Sequence, residues 1–134
     1  MVNEKGVSPG GKVVSGRTKP IKMCYIIGPI RSKWGLIGRL INVWRGRQAA
    51  VKLWKAGFAV ICPHLNSLTI AMAIPNEDEI IKLDLEMIKR CDFIVVLEGW
   101  GGSKGSRVEL AFCHKIKSNV YHNVLQAIND EIIW

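Results

Sequence analysis

Three short, uninterrupted apolar runs constrain this chain more than any other feature: Met23-Cys24-Tyr25-Ile26-Ile27, Phe58-Ala59-Val60-Ile61-Cys62 and Phe93-Ile94-Val95-Val96-Leu97. Each stops within two residues at Gly28-Pro29, Pro63 or Gly99. A strand without polar alternation has both faces buried, and such strands belong to parallel sheets covered by helices. The intervals between the runs are long enough for those helices. Leu36 to Ala56 reads as helix, with Gly57 as its C-terminal cap. Pro75, followed by Asn76-Glu77-Asp78-Glu79, places proline and acids where a helix begins, and that helix should run to Arg90. Ser106 to about Lys117 reads as the next helix, Asn119 to His122 as a short fourth strand, and a last helix closes the chain. Residues 64–74 carry no decisive pattern. The expectation is an α/β, single-domain, doubly wound parallel sheet of flavodoxin/Rossmann-like type, with about 4–5 strands and helices on both faces. Ligands of such sheets bind beyond the carboxyl ends of the strands, where the chain order switches. That edge gathers Gly28 to Arg31, His64 and Gly99 to Glu109.

At 134 residues there is room for one domain. Residues 1–20 are rich in Gly, Ser and Lys and poor in large apolar side chains, so they read as a flexible basic N-terminal tail ahead of a domain over 21–134. The N-terminus has no apolar signal-peptide core, and no apolar run approaches the ~20 residues that span a bilayer. The expected setting is cytoplasmic, with no membrane partner. Lys and Arg number 19 against 11 Asp and Glu, a formal net charge of +8. The excess is concentrated: Arg31, Lys33, Arg39, Arg45, Arg47, Lys52 and Lys55 occupy a stretch without a single acid. Such a stretch attracts phosphate, free or in a nucleic-acid backbone, although any one lysine in it reads first as part of a solvated face. Nucleic acid is therefore a secondary candidate partner. The four cysteines form no C-x-x-C pair and have no histidine at ligand spacing, so they read as reduced and structural, with no metal site and no cofactor expected.

Two carboxylates stand out. On a helix turning about 100° per residue, Asp84 falls at the centre of the apolar face formed by Ile80, Ile81, Leu83, Leu85, Met87 and Ile88. A carboxylate there is either satisfied by backbone amides or projects into a pocket at the sheet edge, because otherwise its burial costs several kcal/mol. Glu109 fits an S-x-x-E capping box with Ser106, which offers a structural role. It also follows Gly99-Trp100-Gly101-Gly102-Ser103-Lys104-Gly105, a loop whose glycines let backbone amides approach an anion closely at a helix N-terminus. Neither a Walker A motif nor a G-x-G-x-x-G fingerprint is present in that loop, which argues against hydride transfer.

Taken together, Tyr25-Ile26-Ile27-Gly28-Pro29-Ile30-Arg31, then Asp84-Leu85-Glu86 with Cys91-Asp92, then Gly99-Trp100, Ser103-Lys104-Gly105 and Glu109, resemble the nucleoside 2-deoxyribosyltransferase superfamily over about residues 22–122. The nearest branches are an uncharacterised phage- or prophage-type group and the 2′-deoxynucleoside 5′-phosphate N-hydrolases. The resemblance implies that Glu109 is the nucleophile that attacks the anomeric carbon. It implies that Asp84 positions the sugar and assists proton transfer, and that Tyr25 lies near the glycosidic bond. It places Gly28, Ile30, Arg31, Gly99, Ser103 and Gly105 around a 5′-phosphate, with His64 as a further substrate contact. Two departures matter. Ser103 stands where the transferases carry Asp, which favours a phosphorylated substrate, and Pro29 replaces a serine of the hydrolases' first loop.

The implied activity is an N-glycosidase that cleaves the base from a (deoxy)nucleoside 5′-monophosphate through a glycosyl-Glu109 intermediate. Base exchange between nucleosides, as a deoxyribosyltransferase performs, is one alternative; a non-catalytic nucleotide- or nucleic-acid-binding module on the same fold is another. The resemblance also implies a homo-oligomer. Trp34, Trp44 and Trp54 recur every ten residues without sharing one helix face, and core packing is the first expectation for them, with an interface as the second.

Overall fold

The computed structural model describes residues 20–29, 34–63 and 76–132. Strands β1 (Met23–Ile27), β2 (Ala59–Ile61), β3 (Phe93–Val96) and β4 (Asn119–Tyr121) alternate with helices α1 (Gly35–Lys55), α2 (Glu77–Lys89), α3 (Lys104–Lys115) and α4 (Val124–Glu131). The strands form one sheet in the order β2-β1-β3-β4. All three pairings are parallel, with Tyr25 level with Ile61 on one side and Ile94 on the other. The expected doubly wound α/β sheet is therefore present, with four strands.

Alternation along the strands divides the core into two layers. Cys24, Ile26, Phe93 and Val95 point to one face and pack with Ala49, Ala50 and Leu53 of α1 and Ala127 of α4. Tyr25, Ile27, Ile94 and Val96 point to the other and pack with Ile88 of α2 and Leu110 and Cys113 of α3. All eight strand residues are buried, which is why the sequence shows no polar alternation there.

Several helix ends follow from local chemistry. Gly57 takes φ +97° after α1, where Phe58 N–H reaches the Leu53 carbonyl at 3.2 Å and Gly57 N–H that of Trp54 at 3.0 Å, a Schellman ending. Lys117 occupies the same position after α3 at φ 59°, a conformation that suits glycine better. Helix α2 begins on Asn76, whose side chain accepts from Asp78 N–H and Glu79 N–H.

Helix α3 corrects the sequence reading. It starts at Lys104, and its N-cap is Ser103, whose hydroxyl oxygen accepts from Ser106 N–H at 3.2 Å. Ser106 therefore lies inside the helix, and the capping box with Glu109 does not form. Only Ser106 satisfies the S-x-x-E motif, yet either serine suits an N-cap, and the structure uses Ser103. The tryptophans are a second correction: Trp34, Trp44 and Trp54 are all exposed. The core face of α1 is made of Gly38, Gly46, Ala49, Ala50 and Leu53, small residues that bring the helix close to the sheet and leave no space for an indole. Leu83, expected on the apolar face of α2, is likewise exposed.

No disulfide joins the four cysteines, three of which are buried. Among the described residues, no helix is long and apolar enough to cross a membrane.

Candidate active site

The chain steps from β1 outward to β2, then returns to place β3 on the other side of β1. The switch point is thus the crevice at the carboxyl ends of β1 and β3, where a parallel sheet offers its ligand site. The loops that leave these strands meet there. Gly99 has φ +87°, and a Cβ at that position would lie 3.5 Å from Pro29 Cγ. The turn Trp100–Gly102 that follows is held by Arg107, whose Nη1 donates to the Gly101 carbonyl at 2.8 Å. Trp100 also lies against His122 beyond β4, with ring centroids 6.3 Å apart. No side chain or backbone lies within 4 Å of where a Cβ would stand on Gly101 or Gly102.

Beneath this loop three polar side chains converge in an otherwise apolar layer. Tyr25 extends from the middle of β1, and its hydroxyl donates to Glu109 Oε2 of α3 at 2.6 Å, across 84 residues of sequence. Tyr25 is fully buried and Glu109 nearly so. Asp84, from α2, lies near the Tyr25 hydroxyl: burial drives its carboxyl pKa up and the phenol draws it part of the way back, with a net result of about 6. Burial raises the Glu109 carboxyl further, to about 8; the Tyr25 hydroxyl opposes this and the neighbouring Asp84 charge adds to it. The phenol is pushed far above its ordinary value by burial and by the two acids, so it stays a proton donor at any physiological pH. With one carboxyl raised to about 6 and the other to about 8, the pair holds one proton near neutrality, mostly on Glu109. Such a pair has one group able to attack or stabilise a cation while the other donates a proton.

Ser106 completes the cluster. One helical turn before Glu109, its hydroxyl is buried and has no hydrogen-bond partner among the described residues. A buried orphan hydroxyl calls for an explanation, and an unfilled ligand position is one. Ser103 has its oxygen engaged by Ser106 N–H, leaving its own proton free to donate toward the loop. Lys104, beside it, reaches Asp78 at the start of α2 at 3.5 Å and ties the two helix N-termini together. Thiol nucleophiles are poor rivals here: burial raises Cys91 to about 11 and Cys113 to about 12.

The structure thus brings together Tyr25, Asp84 and Glu109, with Gly28, Gly99, Ser103 and Gly105 on the elements around them. Gly105 lies in the first turn of α3, where a Cβ would stand 3.9 Å from Ile81. Ile30, Arg31 and His64 lie outside the described residues. Sequence reasoning missed Ser106 as a member of the site because its spacing to Glu109 satisfied a capping pattern. Glu109, freed from that pattern, bonds to the sheet and not to a backbone amide. Among the described residues, no group of three or more His, Cys, Asp and Glu side chains gathers as a metal site would require.

No curated protein matches this sequence. A family model described as a domain of unknown function, DUF4406, matches residues 22–122, from the residue before β1 to the residue after β4. That interval holds every strand and all three members of the Tyr25, Asp84 and Glu109 cluster, and the chain belongs to the DUF4406 family.

Proposed function

We propose that the protein is an N-glycosidase acting on deoxynucleoside 5′-monophosphates, on a site related to that of the nucleoside 2-deoxyribosyltransferase superfamily. The observation that carries this reading is the buried Glu109, bonded to the Tyr25 phenol, with the half-buried Asp84 beside the same phenol. Cleavage of an N-glycosidic bond develops positive charge on the sugar ring, which a carboxylate stabilises and can trap covalently. Departure of the base needs a proton, which a carboxyl with a raised pKa supplies near pH 7.

In the proposed sequence the one proton that the pair holds near neutrality moves from Glu109 to Asp84 when substrate binds, the Glu109 carboxylate oxygen thus freed attacks C1′, and the C1′–N bond breaks with its electron pair passing to the base. Asp84 gives its proton to the departing base. Water then attacks C1′ of the glycosyl ester, returns a proton to Asp84 and releases Glu109 with 2-deoxyribose 5-phosphate. Tyr25 holds Glu109 in place throughout, because its short hydrogen bond strengthens as negative charge returns to that oxygen. The phosphate occupies the loop Gly99–Gly105 beside the Ser103 hydroxyl, with Arg31 as the side chain whose planar fork suits it. Ser106 is left to hydrogen-bond a sugar or phosphate oxygen.

The test is to incubate the protein with a panel of deoxynucleoside 5′-monophosphates and follow free base by chromatography. Release by the wild type and a loss of at least ~10³-fold in Glu109→Ala are expected, because a nucleophile is removed. Cleavage by the variant at the wild-type rate would refute the assignment. A new nucleotide formed when a second free base is added would mean base exchange in place of hydrolysis.

A further inference from the structure

Helix α1 buries Gly38, Gly46, Ala49, Ala50 and Leu53 against the sheet and leaves its outer side to solvent. The first half of that side presents an exposed stripe of Ile37, Leu40 and Ile41; from Trp44 onward it turns aromatic and cationic. Trp44 and Trp54 are 55% and 68% exposed, and Arg45, Arg47, Lys52 and Lys55 are exposed with them. At about 100° and 1.5 Å per residue, Trp44, Arg47, Trp54 and Lys55 share an arc of roughly 100°, with the two indoles about 15 Å apart along the axis. Nothing neutralises the cations: among the described residues none of the four joins an ion pair with an acid, and Arg47 lies 5.4 Å over the Trp44 ring. The fold also segregates charge. Helix α1 has no acid, whereas α2, on the other face of the sheet, carries Glu77, Asp78, Glu79, Asp84 and Glu86 against Lys82 and Lys89.

We infer that the second half of α1 binds single-stranded nucleic acid, with bases stacked on Trp44 and Trp54 and the phosphates between them met by Arg47 and Lys55. Charge complementarity selects a polyanion, because an acid-free surface with four unpaired cations repels a basic partner and attracts a phosphate backbone. The two indoles select the kind of polyanion. Every unpaired base offers a flat face that stacks on an indole, and cations beside the ring follow the backbone from one base to the next. Arg47 over Trp44 puts such a cation at the stacking surface itself. A duplex hides its base faces, and an acidic protein meets the cations but leaves two separated indoles without a use. Neither contact reads the 2′-hydroxyl, so DNA and RNA strands bind alike. The surface lies on the opposite layer from Tyr25 and Glu109, and the inference does not rest on the proposed activity.

The experiment is fluorescence anisotropy of labelled oligo-dT, oligo-U and a mixed-sequence duplex, each ~20 nucleotides long, titrated with the full chain at ~50–200 mM salt. Expected is binding of both single strands with a dissociation constant on the order of 1–10 μM at the lowest salt, weaker binding of the duplex, and a loss of about 50-fold or more across the salt range. Trp44→Ala and Trp54→Ala each weaken binding about 5-fold or more without changing the salt dependence, and Trp54→Phe retains most of it. A combined Arg45→Gln, Arg47→Gln, Lys52→Gln and Lys55→Gln variant flattens the log–log slope of affinity against salt by about 3. Lys82→Gln on α2 changes nothing beyond the loss of one overall charge, and circular dichroism confirms that every variant is folded. No binding at ~50 mM salt, a duplex bound more tightly than the strands, displacement of the strand by polyglutamate at equal charge, or α1 variants that bind as the wild type does would each overturn the inference.

Discussion

Replacing Glu109 with Gln should make the protein more stable while removing its proposed nucleophile. The native carboxyl holds its proton up to about pH 8, against an ordinary value of 4.5. Between those values the native state binds more protons than the unfolded chain, so stability falls as pH rises through that window and levels off above it. At about 1.4 kcal/mol per pKa unit, this one group costs the wild type about 3 kcal/mol by pH 7 and on the order of 4–5 kcal/mol by pH 9. Glutamine is nearly isosteric, stays neutral, and offers Tyr25 the same carbonyl acceptor, so the bond now 2.6 Å long survives the exchange. The assay is urea unfolding of both proteins by circular dichroism at pH 5, 6, 7 and 8. The two should agree within about 1 kcal/mol at pH 5, with Glu109→Gln ahead by about 4 kcal/mol at pH 8. A difference that does not change with pH, or a wild type that is the more stable at pH 8, would refute the claim that this acid is buried at the expense of the fold.

Three other outcomes follow from the same geometry. Base release should depend on pH as a bell with limbs near 6 and 8, since the carboxyl pair is doubly protonated below the first and doubly ionised above the second; a flat profile from pH 5 to 9 contradicts the shared proton. Glu131, buried with Lys22 Nζ at 2.9 Å and Tyr121 Oη at 2.6 Å, should carry the opposite pH sign. Burial raises its pKa, but the Tyr121, Lys22 and Asn119 contacts outweigh burial and leave it lowered, so its stabilisation is present above about pH 4.5 and lost as pH falls below. Glu131→Ala should then cost about 3 kcal/mol in urea unfolding at pH 7 and far less at pH 3. Lys117→Gly should raise stability by about 1 kcal/mol in the same measurement, because φ 59° strains a lysine backbone and not a glycine.

Much of the sheet was legible in the sequence, and the reason is burial on both faces. Runs such as Phe93-Ile94-Val95-Val96 admit only a central strand, and the register that sets Tyr25 beside Ile94 follows once the order is known. Asp84 was legible as an anomaly, because one carboxylate at the centre of an apolar helix face breaks the period. The link between Tyr25 and Glu109 was not, since nothing local ties residues 84 positions apart. The start of α3 was misread for the opposite reason: Ser103 and Ser106 both satisfied a local rule, and only the packing of Ser106 into the interior decides between them. The polar cluster around Glu131 left no sequence signal either, because Lys22 and Glu131 lie 109 residues apart and each reads as an ordinary surface charge. The exposed stripe on α1 has the pattern of a buried one, and periodicity cannot say what covers an apolar face.

The most direct test of the proposed chemistry is intact-protein and peptide mass spectrometry of the enzyme quenched during turnover of a deoxynucleoside 5′-monophosphate. A gain equal to one 5-phospho-2-deoxyribosyl group, mapped to the peptide containing Glu109 and missing in Glu109→Gln, is the predicted result. Free base released with no sugar ever attached to the protein, or a sugar mapped to another side chain, would contradict it.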